Sequence, residues 1–126
     1  MNGIPLAVLV AAAGALGAPS RYALERWVRT RWATVAPVGT LVVNVTGSLA
    51  LGAVVGLALA HGLDPDASTL VGTGFLCAYT TFSAYAVETV RCSEAGRSGV
   101  AAAYAIGSVV AATVAATLGL VLTGAW

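Results

Sequence analysis

Charges are sparse in this chain, and their spacing limits what it can fold into. Stretches without Asp, Glu, Lys or Arg run from Met1 to Ser20, Trp32 to Leu63, Ala67 to Val87 and Ser98 to Trp126. Each supplies the roughly 20 residues that a helix needs to cross a bilayer. Backbone polar groups in hydrocarbon must be satisfied internally, so such stretches become helices. With 59% hydrophobic and 9% charged residues in 126, little is left for a water-soluble catalytic domain. The reading is an all-α membrane protein embedded in lipid. A single domain, residues 1–126, holds four spans at about 4–24, 38–60, 67–91 and 99–122. No Lys or Arg precedes the first run, so it lacks the basic start of a cleaved signal and reads as a retained span. A net charge of +1 offers no basic field for nucleic acid. Cys77 and Cys92 have neither metal spacing nor a disulfide framework. Cys77 reads as a small apolar filler at mid-span, and Cys92 as a free thiol near an interface.

Small residues define the packing faces. Gly14 and Gly17 in span one let another helix approach, and Pro19 is expected to kink or end that span, with Arg21 in its last turn. The following ERWVRTRWATVAP reads as a loop carrying interfacial Trp27 and Trp32. In span two, Gly47 or Ser48, Gly52 and Gly56 form a small-residue stripe. Asn44 near its centre is costly unless bonded. It is either a bond between helices or an amide N–H aimed at a passing anion, with Thr40 and Ser48 one turn to either side. His61 reads as interfacial. Asp66 or Ser68 is expected to cap span three. In span four, Tyr104 and Ser108 lie one turn apart with Ala112 next. Thr113 and Thr117 sit on a neighbouring face, and Gly107 and Ala111 offer a small-residue contact. Trp126 is a plausible anchor.

Span three is the unusual one. In GFLCAYTTFSAYAVE (residues 74–88), Thr80, Thr81, Phe82 and Ser83 are modest helix formers whose hydroxyls compete for backbone groups. Gly72 and Gly74 loosen the turns before them. A break is expected near Ala78–Thr81, freeing carbonyls on one side, which attract a cation, and N–H groups on the other, which attract an anion. Phe82 and Tyr85 then share a face, either as core or as a lining of positive ring edges for a small anion. Glu88, a turn further on, is either buried near a pore mouth or interfacial. Arg21 is either a snorkelling arginine or a cationic vestibule.

TTFSAY followed by Glu88 resembles the third-helix signature of the small four-helix fluoride channels, the CrcB/Fluc family. GAPSRY at residues 17–22 resembles that family's first-helix element, GTLVVNVTGS at 39–48 its second, and GFLCAYTTFS at 74–83 the rest of its third. The resemblance implies a fluoride-specific channel that passively exports fluoride across a bacterial plasma membrane. It implies an antiparallel dimer of dual-topology type with two pores, formed with itself or with an oppositely oriented homologue. It also implies a structural Na+ held by the main-chain carbonyls of Cys77 and Thr80 where the two breaks meet. The implied fluoride path is Thr40, Asn44, Thr81, Phe82, Ser83, Tyr85, Tyr104 and Ser108, with Arg21 in the vestibule and Glu88 at the pore mouth. Cys77 stands where relatives usually carry Gly, Tyr85 where they carry a second Phe, and Ala112 where a hydroxyl is expected.

The chemistry agrees with a channel rather than an enzyme. Fluoride is strongly hydrated, so a pore must replace water's hydrogen bonds at successive weak points. The competing class is a proton-coupled exporter of the small multidrug type. It needs a carboxylate in the first span, which has none. A structural subunit without transport would leave the hydroxyl-rich break unexplained. All six arginines fall on one side of the expected topology, which puts that side in the cytoplasm and both termini outside. Such a bias favours one-way insertion and pairing with a second homologue.

Overall fold

The computed structural model describes residues 5–32 and 36–124. The expected start of span one at Ile4 and the anchor Trp126 lie outside these residues. The described residues form helices and no strands, and four helical stretches are long and apolar enough to cross a membrane.

Helix α1 spans Leu6–Arg31. It outlasts the expected span by seven residues, and most of the expected loop is its last two turns. Pro19 lies inside it and does not end it, because a proline removes a single hydrogen bond from a long ladder. The extension is held by local side chains. Arg29 pairs with Glu25 at 3.6 Å, one turn apart, Trp27 meets Trp32 edge-on at 5.9 Å, and Arg31 lies over the Trp27 ring. Arg21 is therefore mid-helix rather than in a last turn. Ten residues short of Arg31, it lies about 15 Å below the end of α1.

Helix α2 spans Val38–His61 and ends in a left-handed Gly62. Helix α3, Pro65–Thr69, is capped by Asp64, whose carboxylate accepts from Ala67 N–H at 3.0 Å. Asp64, and not Asp66 or Ser68, takes this role because Pro65 occupies the first helical position. The chain winds on without interruption through a π-helical segment, Leu70–Leu76, into a single turn, α4, Cys77–Tyr79. Thr80 and Thr81 are extended, and α5, Phe82–Glu94, follows. Helix α6 spans Ser98–Leu122.

Two parallel helix pairs result. Helix α2 lies along α6, where Gly52 meets the Ala116 carbonyl and Gly119 meets the Leu49 carbonyl. A methyl at either glycine would collide with backbone, which cannot move aside as a flexible side chain does. The expected contact through Gly107 and Ala111 is not formed by Gly107, which has open space around its Cα. Helix α1 lies along the π-helical segment and α4, with Gly17 against the Phe75 carbonyl and Gly74 against Val10 and Ala13. His61 Nε2 meets the Thr123 carbonyl at 2.9 Å, tying the far ends of α2 and α6. The opposite end gathers the C-termini of α1 and α5 and the N-termini of α2 and α6, and with them five of the arginines, Arg26, Arg29, Arg31, Arg91 and Arg97.

Candidate functional site

The site forms around Thr80 and Thr81. An α-helix continuing from α4 would give the Thr81 N–H to the Cys77 carbonyl and the Ala84 N–H to the Thr80 carbonyl. Here both donors are diverted. Thr81 N–H donates to Asn44 Oδ1 at 2.8 Å, and Ala84 N–H donates to Thr81 Oγ1 at 3.1 Å, an N-cap for α5. The carbonyls of Cys77 and Thr80 thus lose their helical donors. The π-helical segment just before them is a feature that recurs at functional sites.

Asn44 holds the interruption from α2. Besides accepting from Thr81 N–H, its Nδ2 donates to the Thr81 carbonyl at 2.9 Å. One side chain thereby satisfies both main-chain groups of a residue that is 7% exposed. An amide nitrogen carries a second N–H, and Asn44 also lines a cleft. Bonding between helices and donation to a guest are therefore compatible, because they use different hydrogens. Gly47, one turn on from Asn44, makes room for the Thr80 methyl and the Tyr79 ring.

The cleft has a volume of about 280 Å³ and is lined by Asn44, Ser48, Cys77, Thr80, Thr81, Phe82, Tyr85 and Ser108 together with apolar residues, Ala112 among them. Its lining contains no charged residue. Ser108 is 6% exposed, and its hydroxyl has no hydrogen-bond partner among the described residues. Such an orphan is uncommon in a packed interior. The rings form a row, with Phe82 to Tyr85 at 5.6 Å and Tyr85 to Tyr104 at 5.6 Å, both tilted. Tyr85 donates to the Ala105 carbonyl at 3.2 Å, which fixes its ring against α6. Tyr104, buried, donates to Glu88 Oε2 at 3.2 Å. Thr40 and Glu88 in turn line a second cleft at the arginine end.

Other candidates lie elsewhere. Ser83 is exposed and within 3.2 Å of Thr81 Oγ1, outside the cleft lining. Thr113 and Thr117 turn outward and bond back to carbonyls of their own helix, as hydroxyls in apolar helices do. Arg21 is half-buried and lines neither cleft. Cys77, expected as a small apolar filler, is exposed and free in the single chain and borders the cleft beside Thr80. Cys92 is free and buried. Arg29 and Arg91 line the second cleft and were not singled out for it by motif. The available signal was spacing, since Glu88 and Arg91 are three apart on one helix and share a face.

The sequence family described as "CrcB-like protein, Camphor Resistance (CrcB)" matches residues 8–120. The chain is 46% identical over 121 residues to Fluoride-specific ion channel FluC 1 of Leifsonia xyli subsp. xyli, covering 95% of this chain and 88% of the relative. It is 48% identical over 124 residues to Fluoride-specific ion channel FluC 1 of Frankia casuarinae, covering 94% and 95%. With Fluoride-specific ion channel FluC 1 of Streptomyces avermitilis the identity is 44% over 119 residues, covering 94% and 92%. Matches over nearly the whole length, joined to four membrane-length helices of which three border an uncharged donor-lined cleft, place the chain in the CrcB/FluC family, a family of ion channels and not of enzymes.

Proposed function

We propose that this membrane protein is a fluoride-specific channel, passively exporting fluoride across the bacterial plasma membrane and lowering its cytoplasmic concentration. The observation that carries this reading is the row of neutral donors without a fixed charge. The Asn44 amide, the unpartnered Ser108 hydroxyl and the rings of Phe82 and Tyr85 border one cleft, and Tyr104 continues the row toward Glu88. Neutral donors can replace a hydration shell stepwise, whereas a fixed cation at each step would trap the ion. Hydrogen fluoride crosses membranes and dissociates in a less acidic cytoplasm, so a passive path for the anion is enough. The proton-coupled exporter reading has no support, since α1 carries no carboxylate before Glu25 near its far end.

The channel works as an antiparallel dimer with two pores, in which the helical interruptions of the two protomers meet. Phe82 is 79% exposed and Cys77 is exposed in the single chain, and a second chain on this face would cover both. A structural Na+ fits the donor set there, as main-chain oxygens deprived of their helical donors suit a hard cation. The carbonyls of Cys77 and Thr80 would hold it, and it would supply charge to lock the two interruptions together. The arginine end faces the cytoplasm. Its strong bias favours one-way insertion, with an oppositely oriented homologue as the partner.

Purified protein in liposomes loaded with fluoride tests the channel reading. Fluoride should leave without a proton gradient, while chloride stays behind. Equal chloride release, or release that requires a proton gradient, would overturn it.

A further inference from the structure

The second cleft, about 380 Å³ at the arginine end, is lined by Arg29, Arg91, Trp32, Thr40 and Glu88 among others. It adjoins the row of donors through Tyr104, whose hydroxyl donates to Glu88 at 3.2 Å. An anion leaving or entering by this route passes a carboxylate, and a lone carboxylate at a narrow approach repels anions. The cations beside it decide the sign of the local field. Arg29 is engaged with Glu25 at 3.6 Å. Arg91 is exposed, makes no ion pair among the described residues, and lies one turn beyond Glu88 on the same helix face. Arg21 borders neither cleft.

We infer that Arg91 is the anion-gathering residue at the pore mouth, offsetting Glu88 and raising the concentration of small hard anions at the approach to Tyr104. The inference rests on the channel reading. A solvated arginine suits a mouth as it would not suit the cleft. It concentrates ions through a screened field and releases them without a buried charge pair. One unit charge about 6 Å away in water changes the local anion concentration by roughly threefold.

The test is the fluoride dependence of release from liposomes for the wild type, R91Q, R91K and R26Q. Arg26 removes the same charge from the same end but borders neither cleft. R91Q should need roughly threefold more fluoride for the same sub-saturating rate, with the maximal rate unchanged. R91K should restore the wild-type curve and R26Q should match it. An inert salt at high concentration should shrink the difference between R91Q and wild type. A R91Q curve that superimposes on wild type at low salt, or a R26Q shift as large as that of R91Q, overturns the role of Arg91. Absence of fluoride release from the wild type would instead overturn the channel reading on which it rests.

Discussion

Replacing Asn44 with Ala separates the clamp from everything else at the site. The change removes two hydrogen bonds, of 2.8 and 2.9 Å, that serve the main chain of Thr81. Thr81 is 7% exposed, so water cannot readily take the place of the amide. The orphaned buried N–H costs about 1–3 kcal/mol, whereas the Thr81 carbonyl, which as the N-cap of α5 also accepts the first helical bond, loses only one of its two partners. A cheaper outcome exists. If the interruption closes, the Thr81 N–H returns to the Cys77 carbonyl while the Thr81 carbonyl keeps its donor within α5, so little of that cost remains. That outcome consumes one of the carbonyls assigned to the cation. Fluoride release should therefore be lost even if the protein remains folded. Amide hydrogen exchange at Thr81 and Ala84 reads the clamp directly, and a detergent-unfolding midpoint reads stability. Faster exchange at Thr81 marks an orphaned amide, while sustained protection together with lost release marks a closed helix. Asn44→Asp keeps an acceptor for the N–H but sets a carboxylate against the Thr81 carbonyl, and should be at least as damaging as Ala. The reasoning is refuted if Asn44→Ala retains full release with an unfolding free energy within about 0.5 kcal/mol of the wild type.

Three further outcomes are expected. Phe82→Ala should abolish or strongly slow fluoride release while leaving the dimer assembled, as seen by size exclusion; an assembled variant with full release would show that the ring is packing alone. Purification without sodium should weaken the dimer or the release, whereas Cys77→Gly should be tolerated because only its carbonyl is assigned a role; severe loss in Cys77→Gly would mean that the thiol matters. Reporters fused to the termini should report from outside the cytoplasm only, and equal signals from both sides, or a purified self-dimer that releases fluoride, would rule out the need for a second homologue.

The four spans were legible because apolar length is a local property, written into uninterrupted stretches such as Val38–His61. The end of α1 was not. Charge reads as loop when counted along the chain, yet Glu25 and Arg29 close a turn and the tryptophans beside them cover each other. The spacing of Tyr104 and Ser108 placed both on the inward face of α6, where both are buried. The hydroxyl cluster at Thr80–Ser83 marked weak helix, but nothing local could say that Asn44, 37 residues earlier, would grip the Thr81 main chain. That pairing exists only after α2 and α5 meet. Likewise Cys77 looked like filler by composition, and only the fold shows it at the edge of a cleft.

The π-helical segment Leu70–Leu76 has a consequence for the length of the chain itself. Its wider winding takes up one residue more than an α-helix of equal turns. It is slack stored in the span. Deleting Val71, which is exposed, would let the ladder tighten to an ordinary helix while α4 keeps its heading toward Thr80. The same deletion between Gly52 and Gly56 has no slack to draw on. It would swing Gly56 by about 100° and press a side chain toward the Thr123 contact that glycine now accommodates. A one-residue deletion just ahead of the interruption is therefore expected to leave the Thr80 and Thr81 contacts in place, read out as retained fluoride release, while one between Gly52 and Gly56 is expected to abolish it.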